Sequence, residues 1–161
     1  VKTFLGVDPG KSGAMALVGE DGEHIGHVKL KETPRDVWEW LSGHVENISY
    51  AVIEDVNAMP GQGVSSSFKF GENFGMCKGI LTASGVRFEL ARPQRWMKNQ
   101  GCMTRGDKNV TKNRAQQLWP DVKITHAIAD ALLIADYARK RRQEYLPAAE
   151  VQQNTQRPGS A

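Results

Sequence analysis

The start of this chain leaves little freedom: a short apolar run ends in a carboxylate and turns straight back into a second apolar run. Phe4 to Val7 lead into Asp8, Pro9 and Gly10 follow, and Ala14 to Val18 return. This reads as a β-hairpin whose first strand delivers Asp8 to the edge of a sheet. A carboxylate there is costly to desolvate unless a metal ion, a cation or hydrogen-bond donors offset the loss of water. Two further acids, Glu54 at a strand end and Asp130 near a helix start, raise the question of whether the three meet.

Strand and helix signals alternate through the rest of the chain. Residues 24–30 read as a third strand after the turn at Glu20-Asp21-Gly22. Thr33, Pro34 and Asp36 supply an N-cap, a first-turn proline and an acid three residues beyond the cap. The helix they open has Val37, Trp40, Leu41, Val45 and Ile48 on one face. Tyr50 to Ile53 reads as a buried strand ending in Glu54 and Asp55, and a loop rich in Gly, Pro and Ser fills residues 57–67. A helix from about Ser67 to Ser84 carries Gly71, Gly75 and Gly79, with Ala83 continuing the row. Each interior glycine costs a helix roughly 1 kcal/mol. The bare stripe therefore suits close backbone approach, either onto the protein's own sheet or onto a second copy.

Val86 to Ala91 reads as the last strand, followed by a short helix around residues 94–99 and a mobile loop from Gly101 to Lys108. A helix over 110–118 stops at Trp119-Pro120, and a final helix runs from Thr125, its expected N-cap, to about Arg142. Residues 1–146 are expected to form one domain, and 147–161 a disordered tail. The order β-β-β-α-β-α-β-α-α, with the short helix besides, indicates an α/β sheet with helices on its faces. Parallel strands in such sheets point their C-terminal ends at the ligand site, and Asp8 and Glu54 stand at strand ends.

With 161 residues, 40% hydrophobic and 24% charged, the chain suits one ordinary soluble core. No apolar run approaches the ~18 residues of a membrane span. Val1 suggests that the natural start is missing or altered. Cys77 and Cys102 match no metal-ligand spacing and read as reduced thiols of an intracellular, cytoplasmic protein. The net charge of +3 conceals segregation. Arg92, Arg95, Lys98, Arg105, Lys108, Lys112 and Arg114 lie in a segment whose one acid is Asp107, so residues 92–114 carry +6. A solvated basic loop is the plain reading of that segment; a polyanionic partner is the functional one.

Several carboxylates in one pocket raise each other's pKa, and Mg²⁺, which takes oxygen ligands, relieves the conflict. Two such ions can activate a water and stabilise the leaving oxygen of a phosphodiester. Acids that hold metal and basic groups that hold a backbone would together suit cutting of nucleic acid.

Gly6-Val7-Asp8-Pro9-Gly10, the strand Ala51-Val52-Ile53-Glu54-Asp55 and the segment from Thr125 to Ala135 resemble, in order, the three catalytic segments of RuvC-type Holliday-junction resolvases, closest to the small phage-encoded members. Arg92-Pro93, Trp96 and Lys98, then Lys108, Lys112, Ala115, Leu118 and Pro120, are similar to the family's segment before its final helix. The resemblance covers about residues 3–138. It implies an RNase H-like mixed five-stranded sheet with helices on both faces, a homodimer and paired nicks in branched DNA at four-way junctions. It also implies Mg²⁺ or Mn²⁺, two ions per site, in the cytoplasm of a bacterial or phage-infected cell. Carried over by position, Asp8, Glu54 and Asp130 would be metal ligands, with Lys98 and Lys112 near the scissile phosphate.

His126 lies four residues before Asp130, whereas the family's other final-helix ligand lies three before, where this chain has Ala127. Either His126 takes that role or the site uses three carboxylates. The family's aromatic wedge after the second acid is replaced by Asn57, Ala58 and Met59. Met59 or Phe68 could contact DNA there, although core packing is the simpler expectation for Phe68 and Phe70. Asp55 is expected to support the site or cap a loop, and Asp107 and Asp136 to be solvated. The rival readings are another RNase H-like nuclease acting on flaps or RNA–DNA hybrids, an actin-like ATPase, and a non-catalytic DNA-binding module.

Overall fold

The computed structural model describes residues 1–144. The expected domain end at residue 146 and the expected tail lie outside the described residues. In chain order the elements are β1 (Thr3–Asp8), β2 (Ala14–Gly19), β3 (His24–Lys29), α1 (Pro34–Ser42), β4 (Ile48–Glu54), α2 (Val64–Ala83), β5 (Phe88–Ala91), α3 (Pro93–Gln100), α4 (Asn109–Leu118) and α5 (His126–Glu144). The strands form one sheet in the order β3-β2-β1-β4-β5. β1, β2 and β3 pair antiparallel, while β4 lies parallel to β1 and β5 parallel to β4. No helix of the described residues is long and apolar enough to cross a membrane.

Strand alternation splits the core into two layers. Phe4, Ala14, Ala16, Val18 and Val52 pack with Ile128, Leu132 and Ala135 of α5 and with Trp96 of α3. Leu5, Val7, Met15, Leu17, Ala51 and Ile53 pack on the other face with Val37 and Leu41 of α1 and Cys77 and Leu81 of α2. Helices therefore cover both faces. α5 is pressed so closely on β1 that a Cβ at Gly6 would collide with Ala131 O and Ala135 N.

The capping box expected at α1 is present: Asp36 N–H donates to Thr33 Oγ1 at 3.2 Å, and Thr33 N–H donates to Asp36 Oδ2 at 3.1 Å. That helix stops at Ser42. Val45–Asn47 form a separate 3₁₀ turn and Ile48 opens β4, although both apolar side chains pack on the layer that α1 covers. α2 begins at Val64, three residues earlier than expected, and β5 begins at Phe88.

Exposure corrects two expectations, for Phe68 and Asp136, and decides between the two readings of the glycine stripe. Phe68, expected in the core, is 74% exposed, because the buried stripe of α2 is Asn73, Cys77 and Leu81. Gly71, Gly75 and Gly79 do not pack on the sheet: a Cβ on any of them would meet nothing within 4 Å, so the bare stripe faces outward. Asp136, expected in solvent, is buried because α5 is enclosed on nearly every side. It binds Arg139 at 2.7 Å and Lys140 at 2.8 Å, and accepts from Gln100 Nε2 at 3.0 Å. Asp107 is exposed, as expected, and its Oδ1 accepts the Asn109 N–H. Cys77 and Cys102 are unpaired and buried.

Candidate functional site

The parallel pairing of β1 and β4 sets Val7 opposite Ile53, so Asp8 and Glu54 come next on adjacent strands. By alternation both lie on the face covered by α5, which brings Asp130 in its second turn to the same place. The three acids share one electrostatic environment. Burial and the Asp130 carboxylate push Asp8 up to about 6. Burial, then Asp8, push Glu54 up to about 8, with Asp130 adding to the effect. Burial also raises Asp130, against the lowering pull of Thr111, Lys108 and His126.

Two of the acids have an oxygen held by the protein. Asp8 Oδ1 accepts the Gly10 N–H at 2.9 Å, which the tight turn after β1 aims back at it. Glu54 Oε2 accepts the indole N–H of the fully buried Trp96 at 2.7 Å. Asp130 Oδ1 is buried and has no hydrogen-bond partner. Asn73 of α2 donates to Gly10 O at 3.2 Å, fixing the same turn from the opposite face of the sheet.

A cleft of about 480 Å³ opens over this edge, lined by Asp8, Lys11, Phe70, Lys108, His126 and Asp130 among others. His126, the exposed first residue of α5, shares the cleft with Asp130, and so does Ala127. Thr125 does not cap the helix through its side chain, since its buried hydroxyl has no partner; its carbonyl accepts the Ala129 N–H at 3.0 Å instead.

Among the basic residues, Lys108 faces the acids, lowering both Asp8 and Asp130. Lys98 and Lys112 do not line the acid cleft. Lys98 lines a separate groove with Asp55, Arg92 and Arg95, and Lys112 is half-buried on α4, beside the inward-facing Thr111. Arg105 is exposed, with a left-handed backbone (φ 47°) in the turn closed by the Asp107 N–H to Thr104 O bond. Arg114 is half-buried, and its Nε donates to Gln100 O at 3.1 Å. Met59 is 69% exposed and lines a neighbouring cleft with Asp55.

Sequence reasoning gave no role to Trp96, Lys11, Thr111 or Asn73. Trp96 stood inside a quoted motif, but its bond to Glu54 spans 42 residues of sequence and leaves no local trace. Among the described residues no three His, Cys, Asp or Glu side chains form a ready metal-binding group. Mg²⁺ does not require one, because it is commonly held by one or two carboxylates plus waters and phosphate oxygens. The oxygen-rich donor set and the orphaned Asp130 Oδ1 fit such an ion.

The sheet order and the placement of α5 define an α/β fold of the RNase H-like kind. Two RuvC structures are similar to it. Thermus thermophilus RuvC matches with a TM-score of 0.61 over 88% of this chain and 96% of that one, at 17% identity. T. thermophilus RuvC in complex with Holliday junction substrate matches with a TM-score of 0.59 over 89% and 96%, at 16% identity. No protein-family model matches the chain, and no curated protein matches it. At such identity the likeness establishes the fold.

Proposed function

We propose that this chain is a metal-dependent, structure-selective endonuclease that resolves four-way DNA junctions by paired nicks. The observation that carries the reading is the convergence of three acids with raised pKa: Asp8 and Asp130 line one cleft that Lys108 faces, and the buried Glu54 follows at the end of the strand beside that of Asp8. Isolated structural carboxylates would each be paired or solvated; here burial and mutual repulsion call for a cation. The fold is that of RuvC, and the T. thermophilus protein was solved with a Holliday junction substrate.

Asp8, Glu54 and Asp130, with His126 at the mouth, would hold Mg²⁺ or Mn²⁺, two ions in the full site. The chemistry such ions supply is activation of a water and stabilisation of the leaving oxygen. The chain's own groups do the rest. Trp96 fixes the orientation of Glu54, and the Gly10 N–H fixes Asp8. Lys108 offsets charge that develops on the scissile phosphate. Arg92 at the N-terminal cap of α3, and Arg95 and Lys98 on it, hold the DNA backbone with Arg105 and Lys112, and the exposed Met59 and Phe68 reach into the branch point. Hydrolysis would leave 5′-phosphate and 3′-hydroxyl ends.

Paired nicks need two sites, and the outward glycine face of α2 offers a close-packing surface for a second copy. The small phage-encoded resolvases, working in the cytoplasm of the infected cell, are the members this reading favours. Asp8→Asn tests it. Cutting of a synthetic junction should be lost while junction binding persists and weakens steeply with salt as counterions are released. A fully active variant would remove Asp8 from the mechanism.

A further inference from the structure

The edge strand β3 carries two histidines whose ring nitrogens converge. His24 Nε2 and His27 Nδ1 lie 3.1 Å apart. The ring centroids are 5.3 Å apart and the planes are tilted by 38°, so the rings meet through their nitrogens and not by stacking. Neither residue lines the acid cleft. Their cross-strand partners are Val18 and Ala16, which pair in turn with Phe4 and Gly6 of β1. Asp8 belongs to a different row, with Ala14 and Lys29. Two strand spacings of about 4.8 Å therefore separate the pair from Asp8, before any offset along the strands is added.

A backbone irregularity creates the convergence. Residues three apart on a regular strand point to opposite faces. Here Leu17 pairs with Gly26 while Val18 pairs with His24, so Ile25 is an extra residue with no partner on β2. This bulge puts His24 on the face of His27, which is also the face of Ala16 and Val18 in the layer that α5 covers. The inserted Ile25 is left 39% exposed. Bulges are a common device for re-aiming a side chain, and this one brings two imidazoles together.

The spacing is that of two ligands on one ion. Nitrogens 3.1 Å apart, each about 2.0–2.1 Å from a shared metal, subtend roughly 95–102° there. That angle falls between the square and tetrahedral values, the geometries of Cu²⁺ or Ni²⁺ and of Zn²⁺. Ligation needs neutral imidazole. Burial holds both rings below the ordinary histidine pKa, helped at His24 by His27 and at His27 by Lys29.

We infer that His24 and His27 form a second metal site, a two-imidazole clamp on the bulged edge strand for a divalent transition ion such as Zn²⁺, Cu²⁺ or Ni²⁺. Among the described residues no third His, Cys, Asp or Glu joins them, so water completes the coordination. Mg²⁺, which takes oxygen ligands, stays with the carboxylates. The bound ion fixes the bulge at the edge of the sheet and stabilises the folded chain by mass action. A hydrogen bond between the rings also accounts for the 3.1 Å separation, but by itself it gives the chain no affinity for metal. The clamp needs neither DNA nor the acid cleft, so it stands or falls apart from the nuclease reading.

The test uses the full chain with Cu²⁺ as the probe, in excess Mg²⁺ to satisfy the carboxylates. Equilibrium dialysis should show a single Cu²⁺ held per chain, and its electron paramagnetic resonance spectrum should carry couplings from two imidazole nitrogens. His24→Gln and His27→Gln, each shown by circular dichroism to be folded, should each weaken binding by about tenfold or more, since a second tethered contact adds at least that much affinity. His44→Gln should bind as wild type does. Thermal unfolding of the wild type should shift upward with Cu²⁺, and that shift should vanish in both pair variants. No bound Cu²⁺, a spectrum without nitrogen couplings, or binding that survives both pair variants would overturn the assignment and leave the nuclease reading untouched.

Discussion

Gly6→Ala is the sharpest perturbation the fold offers, because it adds one methyl group where backbone meets backbone. The new Cβ would lie 2.8 Å from Ala135 Cα and closer still to Ala131 O and Ala135 N, with no flexible side chain able to yield. Ordinary van der Waals contact begins at 3.4 Å, so α5 has to retreat from β1 by roughly 1 Å, the scale at which misplaced catalytic groups lose about 10²-fold in rate. Overpacking of this kind costs about 3 kcal/mol, the upper end of the usual range. In a domain of this size that lowers Tm by roughly 10 °C. Because α5 carries Asp130, the retreat also opens the distance between that acid and Asp8. Thermal unfolding and single-turnover cutting of a junction, measured at a temperature where the variant is still folded, should show both losses. A variant with wild-type Tm and wild-type cutting would refute the description of α5 seated on β1.

Three other outcomes follow from the same geometry. Trp96→Phe keeps a buried ring but removes the N–H that holds Glu54 Oε2; cutting should fall about tenfold to 100-fold with junction Kd little changed, since the lost bond is to a charged group worth ~1.5–3 kcal/mol. In metal-free protein, Asp8 and Glu54 have folded-state pKa values above their ordinary ones. Their contribution is therefore fully present below pH 4 and is lost as pH rises through about 6 and about 8. Urea unfolding in EDTA should show stability falling over that window, and Asp8→Asn should recover about 2–3 kcal/mol at pH 8; a flat profile would contradict the crowding of the acids. Asp136→Ala leaves Lys140 and Arg139 without their buried partner and should destabilise by about 3 kcal/mol, read as a shift in urea midpoint.

The features legible in the sequence were local ones. The hairpin around Pro9-Gly10, the cap at Thr33 and the strand-end positions of Asp8 and Glu54 depend on a few neighbouring residues, and the structure forms all of them. Alternation then sufficed to bring the two acids to one face once β1 and β4 lay side by side. What depended on long-range packing was hidden. Asp136 looks like a surface residue of a helix until Gln100, 36 residues away, is seen to close over it. The glycine row of α2 announced a bare face, but only the buried Asn73, Cys77 and Leu81 reveal that it points outward. The resemblance nominated Lys98 and Lys112; that Lys108, just past the turn through Arg105 and Gly106, acts on Asp8 and Asp130 is seen only in the fold. Trp96 needed the fold before its partner was visible.

The central claim is that the acid cleft cuts branched DNA with the help of a divalent cation. The direct measurement is cleavage of a labelled synthetic four-way junction, beside linear duplex and RNA–DNA hybrid, in Mg²⁺, in Mn²⁺ and in EDTA. The expected result is paired, symmetric nicking of the junction with either metal, none in EDTA, and little cutting of the other two substrates. Cutting that persists in EDTA, or that favours the hybrid or the linear duplex over the junction, would contradict the account.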